Sequence, residues 1–252
     1  MKKILIALTL FIACANAGFT QNKQAAQQNP TWQDPQGWSL DLGGQYTWMN
    51  FTTPPTFSGN TGGVMGKVTY QRPWDFYGQF RTIYNIGRLT SSVNSGKIYE
   101  WYNEGVVGYC FPYCTHWTVT PYAGVGIECL QDNNTAYSTY TSIQLKYRVY
   151  YAIAGFDTRY MWRNFYLGLQ AECLPTFSQY LSIGGLPGAA WTMKQKVGGA
   201  VRIPFGIKVS NSVWLELTPY WRLLPIGSSS VLSLPERILN EWGGFAAFRF
   251  YL

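Results

Sequence analysis

The sequence is short of charge. Only 12% of its 252 residues are Asp, Glu, Lys or Arg, while 17% are aromatic; a soluble domain usually carries roughly a quarter charged residues. A surface so thinly charged does not stay in water easily. Lysine and arginine exceed the acids, with a formal net charge of +7, yet they are scattered singly. The absence of a basic run removes the electrostatic footprint of a nucleic-acid binder. Beyond residue 13 no stretch reads as a membrane helix: the uncharged segment Gly105–Ile127 is interrupted by Pro112, His116, Pro121 and several threonines. Histidine occurs once, as His116. The glycine-rich "GNTGG" at 59, "IGGLPG" at 183 and "VGGA" at 197 neither precede a helix nor carry the lysine of a phosphate loop.

What is present begins with "MKKILIALTLFIACANAG". Two lysines, an apolar run from Ile4 to Ala13 and the small-x-small site Ala15-Asn16-Ala17 predict a secretory signal peptide over residues 1–17. Phe11-Ile12-Ala13-Cys14 is a weaker lipoprotein-type alternative, disfavoured by the two bulky residues ahead of Ala13.

With the leader set aside, alternation of apolar and polar residues predicts ten strands, near 38–50, 63–71, 76–86, 98–110, 117–129, 144–156, 165–174, 195–208, 213–223 and 239–252. In the first, Trp38, Leu40, Leu42, Tyr46 and Trp48 oppose Ser39, Asp41, Gln45 and Thr47. Connections alternate between long ones (51–62, 87–97, 130–143, 175–194, 224–238) and short ones at 72, 111, 157 and 209. Aromatics expected to face outward sort to two levels. Trp48, Tyr84, Tyr99, Trp101, Tyr147, Trp221 and Trp242 lie toward the long connections, and Trp38, Tyr70, Phe76, Tyr109, Trp117, Phe165 and Phe250 toward the short ones. A bilayer admits only helices and closed barrels. The expected fold is therefore all-β: an antiparallel up-and-down transmembrane β-barrel over residues 37–252, with ten strands and eight as the alternative. Residues 18–36, rich in Gln and Asn, read as a flexible periplasmic lead-in.

The leader, the alternating strands and the closing "FAAFRFYL" together resemble the bacterial outer-membrane barrels of the small OmpA/OmpX and opacity-protein type. The resemblance implies that Phe248, Phe250 and Leu252 form a signal for the outer-membrane assembly machinery, although that family usually ends on Phe rather than Leu. It also implies a bacterial outer-membrane location, with outer-membrane lipid as surroundings.

Ten strands also resemble the omptin proteases, which use aspartates and a histidine at the outer rim, and barrel-type acylases and lipases likewise depend on a histidine near the outer leaflet; His116 falls in a short connection on the opposite side. No catalytic, cofactor or metal site is expected. The lumen is expected to hold interleaved charges, among them Glu100, Glu128, Lys146, Arg148, Glu172, Lys196, Arg222 and Glu241. Two readings stay open for them: a self-neutralising plug or a selective constriction. Four cysteines follow the leader, and Cys110 and Cys114 in "CFPYC" are spaced for a turn disulfide, with free thiols as the alternative. The expected function is a non-enzymatic barrel whose five outer loops, rich in Tyr, Ser and Asn, contact an extracellular ligand. The alternative is a narrow porin.

Overall fold

The computed structural model describes residues 37–52, 56–91, 95–114, 116–134, 143–184, 190–228 and 236–252. The expected signal peptide and lead-in lie outside them. The elements are β1 (Gly37–Phe51), β2 (Phe57–Gln71), β3 (Phe76–Thr90), β4 (Ser95–Tyr109), β5 (Phe111–Cys114), β6 (Trp117–Asn134), β7 (Ile143–Met161), β8 (Phe165–Ile183), β9 (Ala190–Thr192), β10 (Val197–Arg202), β11 (Phe205–Lys208), β12 (Val213–Ile226) and β13 (Arg237–Tyr251).

Neighbouring strands pair antiparallel around the whole circuit, and β13 closes it by pairing with both β12 and β1. The short β5 and β9 add to β6 and β8. β10 and β11 act as one wall strand, since both pair with β8 and β12. The break between them falls at Ile203-Pro204, because proline has no N–H to give the ladder; Pro204 still accepts from Gly168 N at 2.7 Å. Ten wall strands result.

The strands outrun their expected lengths, mostly toward the long connections. β2 begins at Phe57 rather than 63, although Ser58-Gly59-Asn60-Thr61-Gly62-Gly63 has no apolar alternation to announce it. Its ladder to β1 and β3 is nonetheless continuous. Much of what reads as long loop is thus hairpin. Similarly, β7 runs to Met161, so Asp157 and Arg159, assigned by sequence to a short turn, belong to the wall.

The outer face is apolar. Leu42, Val64, Phe80, Val107, Val125, Leu167 and Phe248 are exposed on it between two aromatic levels, Trp48, Tyr84, Trp101 and Trp242 above and Trp38, Phe76, Trp117 and Phe165 below. From Trp38 to Trp48 the chain rises about 33 Å at about 3.3 Å per residue, or about 23 Å of height at a tilt of about 45°. An outer-membrane barrel has an apolar band of about 25 Å.

Inside, the long-connection end is filled by a hydrophobic core. Phe51, Phe57, Leu89, Ile98, Leu130, Leu181, Ile226 and Leu239 are all buried there, each near the upper end of its strand. Tyr147, expected in the outer aromatic belt, is instead buried among them.

Candidate functional site: the charged lumen

Below that core the inward positions carry ion pairs, and register explains their order. Lys67, Asp41 and Arg249 are direct cross-strand neighbours on β2, β1 and β13, close enough for their side chains to meet. Arg249 donates from Nε and Nη2 to the two oxygens of Asp41, each at 2.9 Å. Lys67 Nζ lies 2.6 Å from Asp41 and 3.0 Å from Glu216, and Arg249 also pairs with Glu216. Two cations and two anions cancel in this lower layer. Alongside it, Arg159 and Asp157 pair at 2.7 Å.

The middle layer repeats the balance. Arg81 pairs with Glu104 and Arg202 with Glu172, with cross-contacts of 3.8 Å joining the two pairs. Tyr151 and Tyr122 donate their hydroxyls to Glu104 and Glu172, each at 2.9 Å. Buried charges persist when they are paired and hydrogen-bonded; both carboxylates of this layer meet these conditions, while Arg202 Nη2 is left without a hydrogen-bond partner among the described residues.

In the upper layer three carboxylates meet one guanidinium. Arg222 pairs with Glu128, lies 3.2 Å from Glu241 and 3.7 Å from Glu100, and sits over the Tyr102 ring with 4.9 Å to its centroid. Asn85 donates to Glu100 at 2.6 Å. One oxygen from each of the three acids lies within 4.8 Å of the others. That spacing could hold a cation, but Arg222 already makes contact with all three.

Two glycines make room for the tyrosines. A Cβ on Gly126 would come 2.4 Å from the Tyr151 ring, and one on Gly206 would come 2.1 Å from Tyr166. Each ring therefore lies across a neighbouring strand where no side chain stands, with its hydroxyl reaching a lumen carboxylate, Glu104 for Tyr151 and Glu216 for Tyr166.

Of the residues that sequence places in the lumen, Glu100, Glu128, Glu172, Arg222 and Glu241 are buried inside it. Lys146 and Arg148 are not: both are exposed on the outward face of β7, whose inward positions are Tyr147, Val149, Tyr151, Ile153, Asp157 and Arg159. The physical reason is depth. They sit at the upper end of β7, where the outward face has left the apolar band and the inward face belongs to the hydrophobic core. Lys196 also stands apart from the lumen layers, partly exposed beside β10 and paired with Glu236 at 2.6 Å. Sequence reading missed Asp157, Arg159 and the inward tyrosines; the shared odd parity of Tyr151, Ile153, Asp157 and Arg159 was the available signal.

Cys110 and Cys114 form no disulfide. Cys110 is buried, with Gln71 Nε2 3.6 Å from its sulfur, while Cys114 is exposed on β5. Cys110 lies at the β4–β5 junction, where its N–H donates to Asp75 O at 3.0 Å and its carbonyl accepts from Trp74 N at 2.9 Å, whereas Cys114 ends β5 at the β5–β6 connection. His116 is exposed in that same connection, where its carbonyl accepts from Met161 N at 2.7 Å. Phe248, Phe250 and Leu252 face outward at the closing strand.

No protein-family model matches the sequence, and no curated protein matches it. Solved structures do. The outer-membrane protease OmpT of Escherichia coli superposes with a TM-score of 0.57 at 8% identity, over 87% of this chain and 98% of that one. The fold is that of a small outer-membrane barrel. The translocator domain of the autotransporter NalP from Neisseria meningitidis gives 0.49 at 7% identity, over 98% and 99% of the two chains. The outer-membrane protein OprG of Pseudomonas aeruginosa gives 0.40 at 8% identity, over 86% and 96%. At these identities the likeness concerns the path of the barrel strands and not the chemistry of its residues.

Proposed function

We propose that this barrel resides in a bacterial outer membrane as a closed, non-enzymatic wall element that acts through the hairpins at its long-connection end. One observation carries the reading: the bore is occupied from both directions, by paired charges through the membrane level and by Phe51, Phe57, Ile98, Leu181 and Leu239 above them. A conducting pore needs a continuous wetted path, and buried ion pairs packed beneath an apolar core do not supply one. Transport of solutes is then not its role, and the surface left to act is the outer rim.

The competing reading is a narrow, cation-preferring pore. Its support is the Arg222 layer, where acids outnumber the base and resemble the acidic rings of cation channels. Planar-bilayer recording of the refolded protein separates the two. The closed barrel gives a baseline without steady conductance, whereas resolved, long-lived open levels with cation preference would overturn it in favour of the pore.

A further inference from the structure

The outward face of β7 and β8 carries a cavity of about 320 Å³ bordered by Lys146, Arg148, Tyr150, Tyr180 and Ser182. Register brings these side chains together: Lys146 is opposite Ser182, and Arg148 is opposite Tyr180. The two cations, two residues apart on one face, stand about 7 Å from each other. Neither is ion-paired among the described residues, in contrast to Lys67, Arg81, Arg159, Lys196, Arg202, Arg222 and Arg249; Arg148 has the uncharged Cys129 thiol beside it as its cross-strand neighbour. The flanking connections at 135–142 and 185–189 contain no Asp or Glu in their sequence. Charge of one sign therefore collects here without an acidic partner among the described residues.

The height of the cavity identifies what is beside it. On β7 itself, Tyr160 is the cross-strand neighbour of Trp117 in the lower aromatic level, and from Tyr160 up to Arg148 the strand rises about 28 Å of height at a tilt of about 45°, just past an apolar band of about 25 Å and so to the level of the upper aromatic belt. Belts of this kind mark the headgroup level of a bilayer. Below the cations, Tyr150 packs near Phe177 and Tyr180, with ring centroids 6.4 Å and 6.3 Å away, giving an aromatic floor on the hydrocarbon side. The cavity opens sideways, toward lipid.

We propose that this cavity binds the phosphate of an outer-leaflet lipid headgroup, with Arg148 offering its planar fork, Lys146 a point charge and Ser182 a hydroxyl. Tyr150 and Phe177 lie against the lipid's acyl chains. The proposal rests on the outer-membrane reading, because only there does this level of the barrel meet a headgroup.

The test uses the full chain refolded into phosphatidylcholine vesicles containing diphosphoryl lipid A or the same lipid stripped of its phosphates, with lipid retention read after extraction and purification. Retention of the phosphorylated lipid should exceed that of the stripped form at least tenfold, and Lys146→Ala/Arg148→Ala should abolish the difference. Both residues are exposed, so the variant should keep the wild-type heat-dependent gel shift of a folded barrel; the wild-type comparison of the two lipids needs no variant at all. Equal retention of both lipids by a folded wild type, or unchanged selectivity in the variant, overturns the site. Displacement by millimolar inorganic phosphate shows a free-anion site and overturns the lipid assignment. A chain that does not insert into vesicles overturns the membrane reading itself, and this proposal with it.

Discussion

Arg222 and Arg81 are both buried guanidiniums, but their surroundings differ in sign. Arg81 shares a balanced set with Arg202, Glu104 and Glu172, while Arg222 alone faces Glu100, Glu128 and Glu241. Removing an acid therefore has opposite consequences in the two layers. Glu104→Gln leaves two guanidiniums sharing Glu172, and breaking a buried pair in this way costs about 3 to 5 kcal/mol. Glu100→Gln keeps an acceptor for Asn85 while removing one of three crowded negative charges, so its cost should stay below about 1 kcal/mol and can reverse sign. Urea unfolding in lipid vesicles, followed by tryptophan fluorescence, measures both. Equal losses would show that the layers are not electrostatically distinct.

At the scale of the strand, parity decides which residues see lipid. Leu42 and Val125 are exposed on the outer face, whereas Gln45 and Thr120 are buried in the bore. In a background with Cys110, Cys114, Cys129 and Cys173 changed to Ser, single cysteines at Leu42 and Val125 should react with a lipid-soluble maleimide. Those at Gln45 and Thr120 should resist it, and the reverse pattern would mean that the register has slipped by one. The same parity was legible in β1, where Trp38, Leu42, Tyr46 and Trp48 alternate with polar residues; ten strands and two aromatic levels could be read from such patterns. It was not legible at the upper end of β7. There the rule that charge points inward fails, because the strand has risen out of the hydrocarbon and Tyr147 and Val149 enter an apolar interior instead. Nor could the extension of β2 through Gly59, Gly62 and Gly63 be read, since glycine has no side chain to alternate. β8 hides a further change: a register shift opposite Tyr150 and Tyr151 moves its inward positions from Leu174 and Thr176 to Gln179 and Leu181. One extra residue changes the face for everything beyond it.

For the molecule as a whole, the ten strands divide the bore into a lower part where ion pairs sit among small apolar clusters around Met65 and Trp214 and an upper part that is a larger apolar core, and the two are stabilised by different means. The ion-paired part draws on geometry and local charge. The upper core, lined by Phe51, Phe57, Leu89, Ile98, Ile226 and Leu239, starts at the outer belt and continues above it, so opening it exposes those side chains to water rather than to lipid. A span surrounded by hydrocarbon gains little from the hydrophobic effect, but this upper region gains as a soluble core does. Its loss should carry a positive heat-capacity change, at about 0.45 cal/K/mol for each Å² of apolar surface wetted. The unfolding free energy should then be curved in temperature, falling on cooling as well as on heating, and Leu239→Ala should flatten the curve. Urea titrations from 5 to 50 °C would reveal it; a straight dependence in the wild type would place the upper core out of contact with water. A protein built to sit in a membrane would thus be loosened by cold at the end that faces outward, where its hairpins meet whatever they bind.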